Sequence, residues 1–251
     1  MTDFSYQLYS SRNFPPLSDT LKMLGELGYK QVEGYGGLYA NLDALAELKA
    51  DLKANGLHMA SGHFGFDMVR DESARVLEIA KELDMKCIFV PAVAQDERVK
   101  DAAGWRAFGK QLAAVGAPYW AAGLTFGWHN HSFEFVVTET GEMPLDLILE
   151  ADERLALEFD VAWGVKGEQD PIAWIEKYAD RIVAAHVKDI APAGECEDED
   201  GWADVGQGTM DWVGIMAALK KTKANLFVME HDNPSDAARF AKRSIAAAKA
   251  L

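Results

Sequence analysis

The segment LTFGWHNHSFEF, residues 124–135, places His129 and His131 on either side of Asn130 and sets Glu134 three positions further on. Six histidines serve the whole chain, so this pair admits three readings: a metal site, an acid–base site or a polar loop. Other ionisable residues sit in short motifs: Asp160 in EFDVAW, His186, Lys188 and Asp189 in AHVKD, Glu230 and Asp232 in MEHD. Glu33 and His63 occur earlier. Carboxylates and imidazoles bind divalent cations and move protons, so their meaning depends on whether the fold brings them together.

The elements that carry them alternate from one end of the chain to the other. Strand-like runs are FSYQLYS (4–10), QVEGY (31–35), HMASGHF (58–64), KCIFVPA (86–92), LTFGWHN (124–130), LALEFDVA (155–162), IVAAHVKDI (182–190) and NLFVMEHD (225–232). Between them lie amphipathic segments such as LSDTLKMLGELG and LDALAELKADLKANG, with apolar residues three and four apart. Gly28, Gly56 and Gly123 stand as helix stops, Ser18 and Asp170 as N-caps, and Pro171 at a first helical position. Eight such units predict a single (β/α)₈ TIM barrel over residues 1–251. The competing doubly wound sheet calls for a glycine-rich loop after strand 1, where this chain reads SSRNFPP.

A barrel puts its active site at the C-terminal strand ends. Those ends hold Glu33, His63, His129 and His131 with Glu134, Asp160, His186 with Lys188 and Asp189, and Glu230 with Asp232. Residues two apart share a strand face, which pairs His129 with His131, His186 with Lys188, Glu230 with Asp232, and Asp160 with a deeper Glu158. A carboxylate as deep as Glu158 needs a partner and is assigned an ion pair or hydrogen bond.

Glu134, Asp160, His186 and Glu230, from four consecutive strand ends, suggest one divalent metal ion. Three carboxylates and an imidazole favour Mn²⁺ first, then Mg²⁺ or Co²⁺, with Zn²⁺ still compatible. Each residue alone has an ordinary explanation: loop carboxylate for Glu134, cap for Asp160, satisfied core histidine for His186. Their joint placement carries the reading.

With WHNHSFEF, EFDVAW, AHVKD, VGQGTMDW and MEHD in this order, the whole chain resembles the xylose-isomerase-like TIM-barrel superfamily, the sugar phosphate isomerase/epimerase group. The resemblance implies one divalent ion held by Glu, Asp, His and Glu, which fall on Glu134, Asp160, His186 and Glu230. In the ketose 3-epimerase branch the first glutamate lies on strand 5 itself, where this chain has Trp128 and His129. Trp163 stands where many relatives carry a Gly-His pair.

The expected reaction is proton transfer beside the carbonyl of a keto-sugar or related polyol through an enediolate, as in a sugar isomerase or epimerase. Glu134, Glu230, His131 and His129 are the candidate catalytic groups. Glu33, His63, Lys188 and Trp202 are the candidate substrate contacts, with a salt bridge to Asp189 or Glu158 the alternative for Lys188. A metal-dependent lyase or dehydratase, expelling a β-substituent, is the second reading. A non-catalytic sugar-binding subunit is the third.

A formal charge of -15 argues against a nucleic-acid partner, which needs clustered Lys and Arg. No apolar run approaches the roughly 18 residues of a membrane span. The start MTDFSYQLYSSR lacks a signal-peptide pattern, so a cytoplasmic location is expected. Cys87 reads as a core residue, and two cysteines make no disulfide framework. The acidic segment 191–208 reads as a solvated loop or a lid over the barrel mouth. Self-association into a homo-oligomer is compatible with such a barrel.

Overall fold

A computed structural model of the chain describes residues 3–40 and 43–251. Its strands are β1 (Phe4–Gln7), β2 (Gln31–Gly34), β3 (His58–His63), β4 (Cys87–Val90), β5 (Thr125–His129), β6 (Ala156–Asp160), β7 (Ile182–Val187), β8 (Asp189–Ile190), β9 (Trp202–Ala203) and β10 (Leu226–Met229). Eight of them close into a parallel barrel in the order β1-β10-β7-β6-β5-β4-β3-β2, with helices between successive strands. The (β/α)₈ expectation is met, and the open-sheet alternative is excluded by the β1–β10 pairing, Phe4 opposite Phe227 and Tyr6 opposite Met229. Strands β8 and β9 form a separate antiparallel pair within the 191–208 region and its flank. Among the described residues no helix is long and apolar enough to cross a membrane.

Local chemistry sets the element ends. The helix Leu17–Leu27 stops at Gly28, whose φ of 89° is the left-handed conformation that a glycine adopts without cost. Asp170 caps the helix Pro171–Lys177, accepting from the Ile172 N–H at 2.9 Å, with Pro171 in the first turn as expected. Ser18 does not cap. The first helix starts at Leu17, with Pro16 at the cap position two residues before Ser18, and the proline ring constrains the entry. The second amphipathic segment becomes the helix Asp43–Ala54; its predicted first residue, Leu42, lies outside the described residues.

Several strands end sooner than their hydrophobic runs. After Gln7 the chain turns into a 3-10 turn, Leu8–Ser11, and the Gln7 side chain accepts from the Tyr9 N–H. After Asp160 a helix, Val161–Lys166, begins at once, with Asp160 Oδ1 capping the Trp163 N–H at 2.8 Å. The run 182–190 is split: β7 ends at Val187 and Asp189 begins β8.

Inside the barrel a plug of small and apolar side chains fills the N-terminal part: Ala60, Cys87, Phe89, Ala156, Ala184, Leu226 and Val228. Cys87 is thus a core residue, as expected. Each inward row then turns polar toward the C-terminal end. The row Ala156, Glu158, Asp160 does so on β6, Ala184, His186, Lys188 on and beyond β7, and Leu226, Val228, Glu230 on and beyond β10. The pleat, with its period of two, carries these side chains from dry core to barrel mouth in single steps.

Candidate functional site

Three ligand-type atoms meet at the mouth. Asp160, His186 and Glu230 each offer one atom, all within 4.8 Å of one another, and all three residues are buried. His186 Nδ1 lies 2.9 Å from Glu230 Oε2 and 3.7 Å from Asp160 Oδ2. Asp160 Oδ2 has no hydrogen-bond partner among the described residues. Its backbone is fixed by Asn130, whose amide accepts from the Asp160 N–H and donates to the Asp160 C=O, both at 3.0 Å. An orphaned buried carboxylate oxygen beside another carboxylate and an imidazole nitrogen offers a cation three converging donor atoms. A divalent cation suits that donor set, so the residues fit one.

Lys188 and Asp232 adjoin this triad. Lys188 Nζ is wholly buried, 2.6 Å from Asp232 and 3.2 Å from Glu230, with Asp160 at 3.8 Å. These three carboxylates hold the ammonium above its usual range against the opposing effect of burial. The salt bridge expected for Lys188 with Asp189 or Glu158 is not formed; its partners are Asp232, Glu230 and Asp160. Asp189 points the other way. Its carboxylate accepts the backbone N–H groups of Ile190, Gly206, Gly208 and Met210, which ties AHVKD to VGQGTM.

One layer deeper lies a second group, His63, His129, Glu158 and His186, again with ligand-type atoms within 4.8 Å. Glu158 Oε2 accepts from His63 Nε2 at 2.5 Å and contacts His129 Nδ1 at 3.2 Å, which gives Glu158 the partners its depth demands. The three rings stand close, His129 4.5 Å and His63 5.4 Å from His186 between centroids. Burial and the neighbouring His186 charge push His129 down to about 4, so it is a neutral acceptor at pH 7. Burial and His129 hold His131 well below its usual range. Burial acts the same way on His63 and His186 but is overcome, in His63 by Glu33 and Glu158 and in His186 by Glu158 and Glu230, and both are raised.

A cavity of about 310 Å³ opens above these groups, lined by His63, His129, His131, Glu230, Asp232 and the aromatic Tyr9 and Tyr35 among others. His131 Nδ1 is buried with no partner among the described residues. Four sequence-derived candidates therefore face one cavity: His63, His129, His131 and Glu230. Asp160 and His186 stand directly beneath.

Besides Lys188, three candidates do not join them. Glu134 is fully buried, but its carboxylate accepts from Trp128 Nε1 at 2.8 Å and from the His131 N–H at 2.9 Å, and it is not among the clustered ligand atoms. The 3-10 turn Phe133–Phe135 directs it back onto its own strand. Burial pushes its pKa up to about 8, against those two donors. Glu33 is fully buried and does not line the cavity. Trp202 is 1% exposed, with Lys188 Nζ 4.0 Å and Lys166 Nζ 3.3 Å from its ring centroid and Trp163 packed edge-on at 4.8 Å. It forms a wall over Lys188 and leaves no free face for a sugar.

Tyr9, Tyr35 and Asp232 are lining residues to which the sequence assigns no role. Tyr9 lies next to the end of the first strand-like run, where the strand-end rule points, but a tyrosine there is equally a core residue.

The xylose isomerase-like TIM-barrel family matches residues 21–251. The chain belongs to this family. As a xylose isomerase-like barrel it is 26% identical over 254 residues to the rhizopine catabolism protein MocC of Rhizobium meliloti, covering 88% of this chain and 77% of that one. Its fold superposes on a sugar phosphate isomerase/epimerase from Parabacteroides distasonis with a TM-score of 0.80 at 21% identity, covering 98% and 92% of the two chains. A probable 3-DHS dehydratase involved in petrobactin synthesis, from Bacillus anthracis, superposes with a TM-score of 0.77 at 15% identity, over 99% of each chain. These two structures share the barrel fold of this chain.

Proposed function

We propose that this chain is a divalent-metal-dependent isomerase or epimerase acting on a keto-sugar or related polyol by proton transfer beside its carbonyl. The observation that supports it is the convergence of Asp160 Oδ2, His186 Nδ1 and Glu230 Oε2 under a cavity lined by further imidazoles. Asp160, His186 and Glu230 would hold the ion; two carboxylates and one imidazole suit Mn²⁺, with Mg²⁺, Co²⁺ and Zn²⁺ as other occupants. When bound, the ion supplies Lewis-acid polarisation of adjacent carbonyl and hydroxyl oxygens. Glu134, matched to a ligand by the sequence, would have to give up Trp128 and the His131 N–H to join.

The chain's own residues divide the remaining work. His129 and His131, both neutral, accept the proton from the carbon beside the carbonyl. Glu230, kept ionised by Lys188 and His186 although burial opposes it, faces the cavity as the second proton carrier. Tyr9 and Tyr35, edge to face at 5.5 Å, give the cavity an apolar wall suited to the C–H face of a sugar.

A lyase is the second reading. His63, whose pKa Glu33 and Glu158 raise against burial, and His129, held low by burial, both face the cavity, which offers an acid and a base to an elimination. Incubation with 2-keto- and 3-keto-sugars, followed by mass analysis, separates the readings. A product of unchanged mass, formed with Mn²⁺ and abolished by EDTA, is expected for the isomerase. A product lighter by water or by an aglycone points to the lyase, and turnover that survives EDTA refutes both.

A further inference from the structure

Glu33 is a strand-end carboxylate that neither lines the cavity nor joins a ligand cluster. It is fully buried, and every hydrogen bond it makes is to a buried group. Gln7 Nε2 donates to its Oε1 at 2.8 Å, Ser61 Oγ donates to its Oε2 at 2.5 Å, and His186 Nε2 lies 2.8 Å from Oε1. The orientation of Gln7 is not arbitrary. Its other amide atom, Oε1, meets the Tyr9 backbone N–H at 3.0 Å, a group that can only donate. The Gln7 NH₂ therefore faces Glu33, and Glu33 acts as the acceptor. Both Glu33 oxygens already accept, Oε1 from Gln7 and Oε2 from Ser61, so the 2.8 Å contact with His186 places its hydrogen on Nε2.

That hydrogen fixes which end of the ring is available. With Nε2–H directed down to Glu33, the nitrogen turned toward Asp160 and Glu230 is Nδ1. We infer that Glu33, held by Gln7 and Ser61, is the positioning residue that commits His186 to present Nδ1 to the metal ion proposed above. Histidine ligands with a carboxylate on the far nitrogen are more basic and better oriented, and losing that partner typically costs about 10–100-fold in metal affinity. The inference rests on the metal reading of the Asp160–His186–Glu230 cluster. It reassigns Glu33 from substrate contact to a support one layer below the site.

The test is the affinity and stoichiometry of Zn²⁺ binding, measured by chelator competition on the full chain, for wild type and for Glu33→Gln, Glu33→Asp and Asp160→Asn. Glu33→Gln keeps the shape but not the charge. It should weaken Zn²⁺ by about 10–100-fold with one ion per chain retained and a cooperative thermal transition, and Glu33→Asp should recover part of that loss. Nitrogen-15 spectra of histidine-labelled, Zn²⁺-loaded wild type should show His186 protonated at Nε2 and metal-bound at Nδ1. Unchanged affinity in Glu33→Gln beside lost affinity in Asp160→Asn overturns this inference alone, as does a His186 bound through Nε2. Two ions per wild-type chain, with Nε2 taken by the inner His63–His129–Glu158 group, also overturn it. A wild-type chain that binds no divalent ion overturns the metal reading and this inference together.

Discussion

At the scale of single residues, charge balance governs the barrel mouth. Lys188 is the counter-charge for Glu230, Asp232 and Asp160, and no water-exposed surface is available to take its place. Removing one member of a buried ion cluster leaves the others uncompensated, at a cost of about 3–5 kcal/mol. Lys188→Met should lose stability of that order in urea unfolding of chelator-treated protein, and added Mn²⁺ should restore part of it. An unchanged midpoint would show that the carboxylates find another partner. Residue types were legible from sequence here, because side chains two apart on a strand must share a face. Pairings were not. The Glu158–His63 bond joins positions 95 residues apart, and Glu134 turns back onto Trp128 through a short 3-10 turn that no spacing rule reveals.

At the scale of elements, two features hold the site residues in place. The first is the close approach of β5 and β6, where Gly127 faces the backbone of Ala156 so tightly that a Cβ would collide with the Ala156 carbonyl. Two residues on, the same ladder sets His129 opposite Glu158. Gly127→Ala should therefore cost roughly 1–3 kcal/mol, as overpacking does, and should weaken metal binding by displacing that pair's neighbours. Guanidinium unfolding and a Zn²⁺ titration check the two effects; wild-type values in both would show that the strands can part without consequence.

The second feature is the 191–208 region, which was read as a solvated loop or lid. It is a pinned wall in this structure. Glu199 accepts from Arg239 at 2.8 and 2.9 Å and from Ser235, Asp204 accepts from Arg239 at 3.0 Å, and Trp202 is buried over Lys188. Acidic composition suggested solvent. The arginine that neutralises it lies 40 residues away on the C-terminal helix Ala237–Ala248, outside any local window.

At the scale of the whole molecule, the fold was legible because eight hydrophobic runs with eight polar ends leave few other architectures. Strand lengths were overestimated for the same reason that the site exists. The last residues of several runs leave the ladder at the mouth, as Lys188 does after β7 and Glu230 after β10. Acid stability follows from the pinning of the wall. Burial alone would raise the Glu199 pKa, but Ser235 and Arg239 outweigh it and bring it from 4.5 to about 2. A carboxylate depressed on folding stabilises the native state above its unfolded value and loses that contribution as pH falls through its folded value. The wall should therefore loosen between pH 4.5 and about 2. Fluorescence of Trp202 and Trp163 should report a transition in that window, shifted to higher pH in Arg239→Gln; an identical profile in the variant would place the loss elsewhere.

The account turns on a metal-assisted proton transfer, and solvent deuterium tests it most directly. Keto-sugars incubated in D₂O with the Mn²⁺-loaded chain should yield isomeric product carrying one deuterium at the carbon next to the carbonyl, read by mass spectrometry. Incorporation should vanish with EDTA and in Glu230→Gln while the circular dichroism spectrum stays native. Product formed without deuterium across the panel, or incorporation that persists in Glu230→Gln, would contradict it.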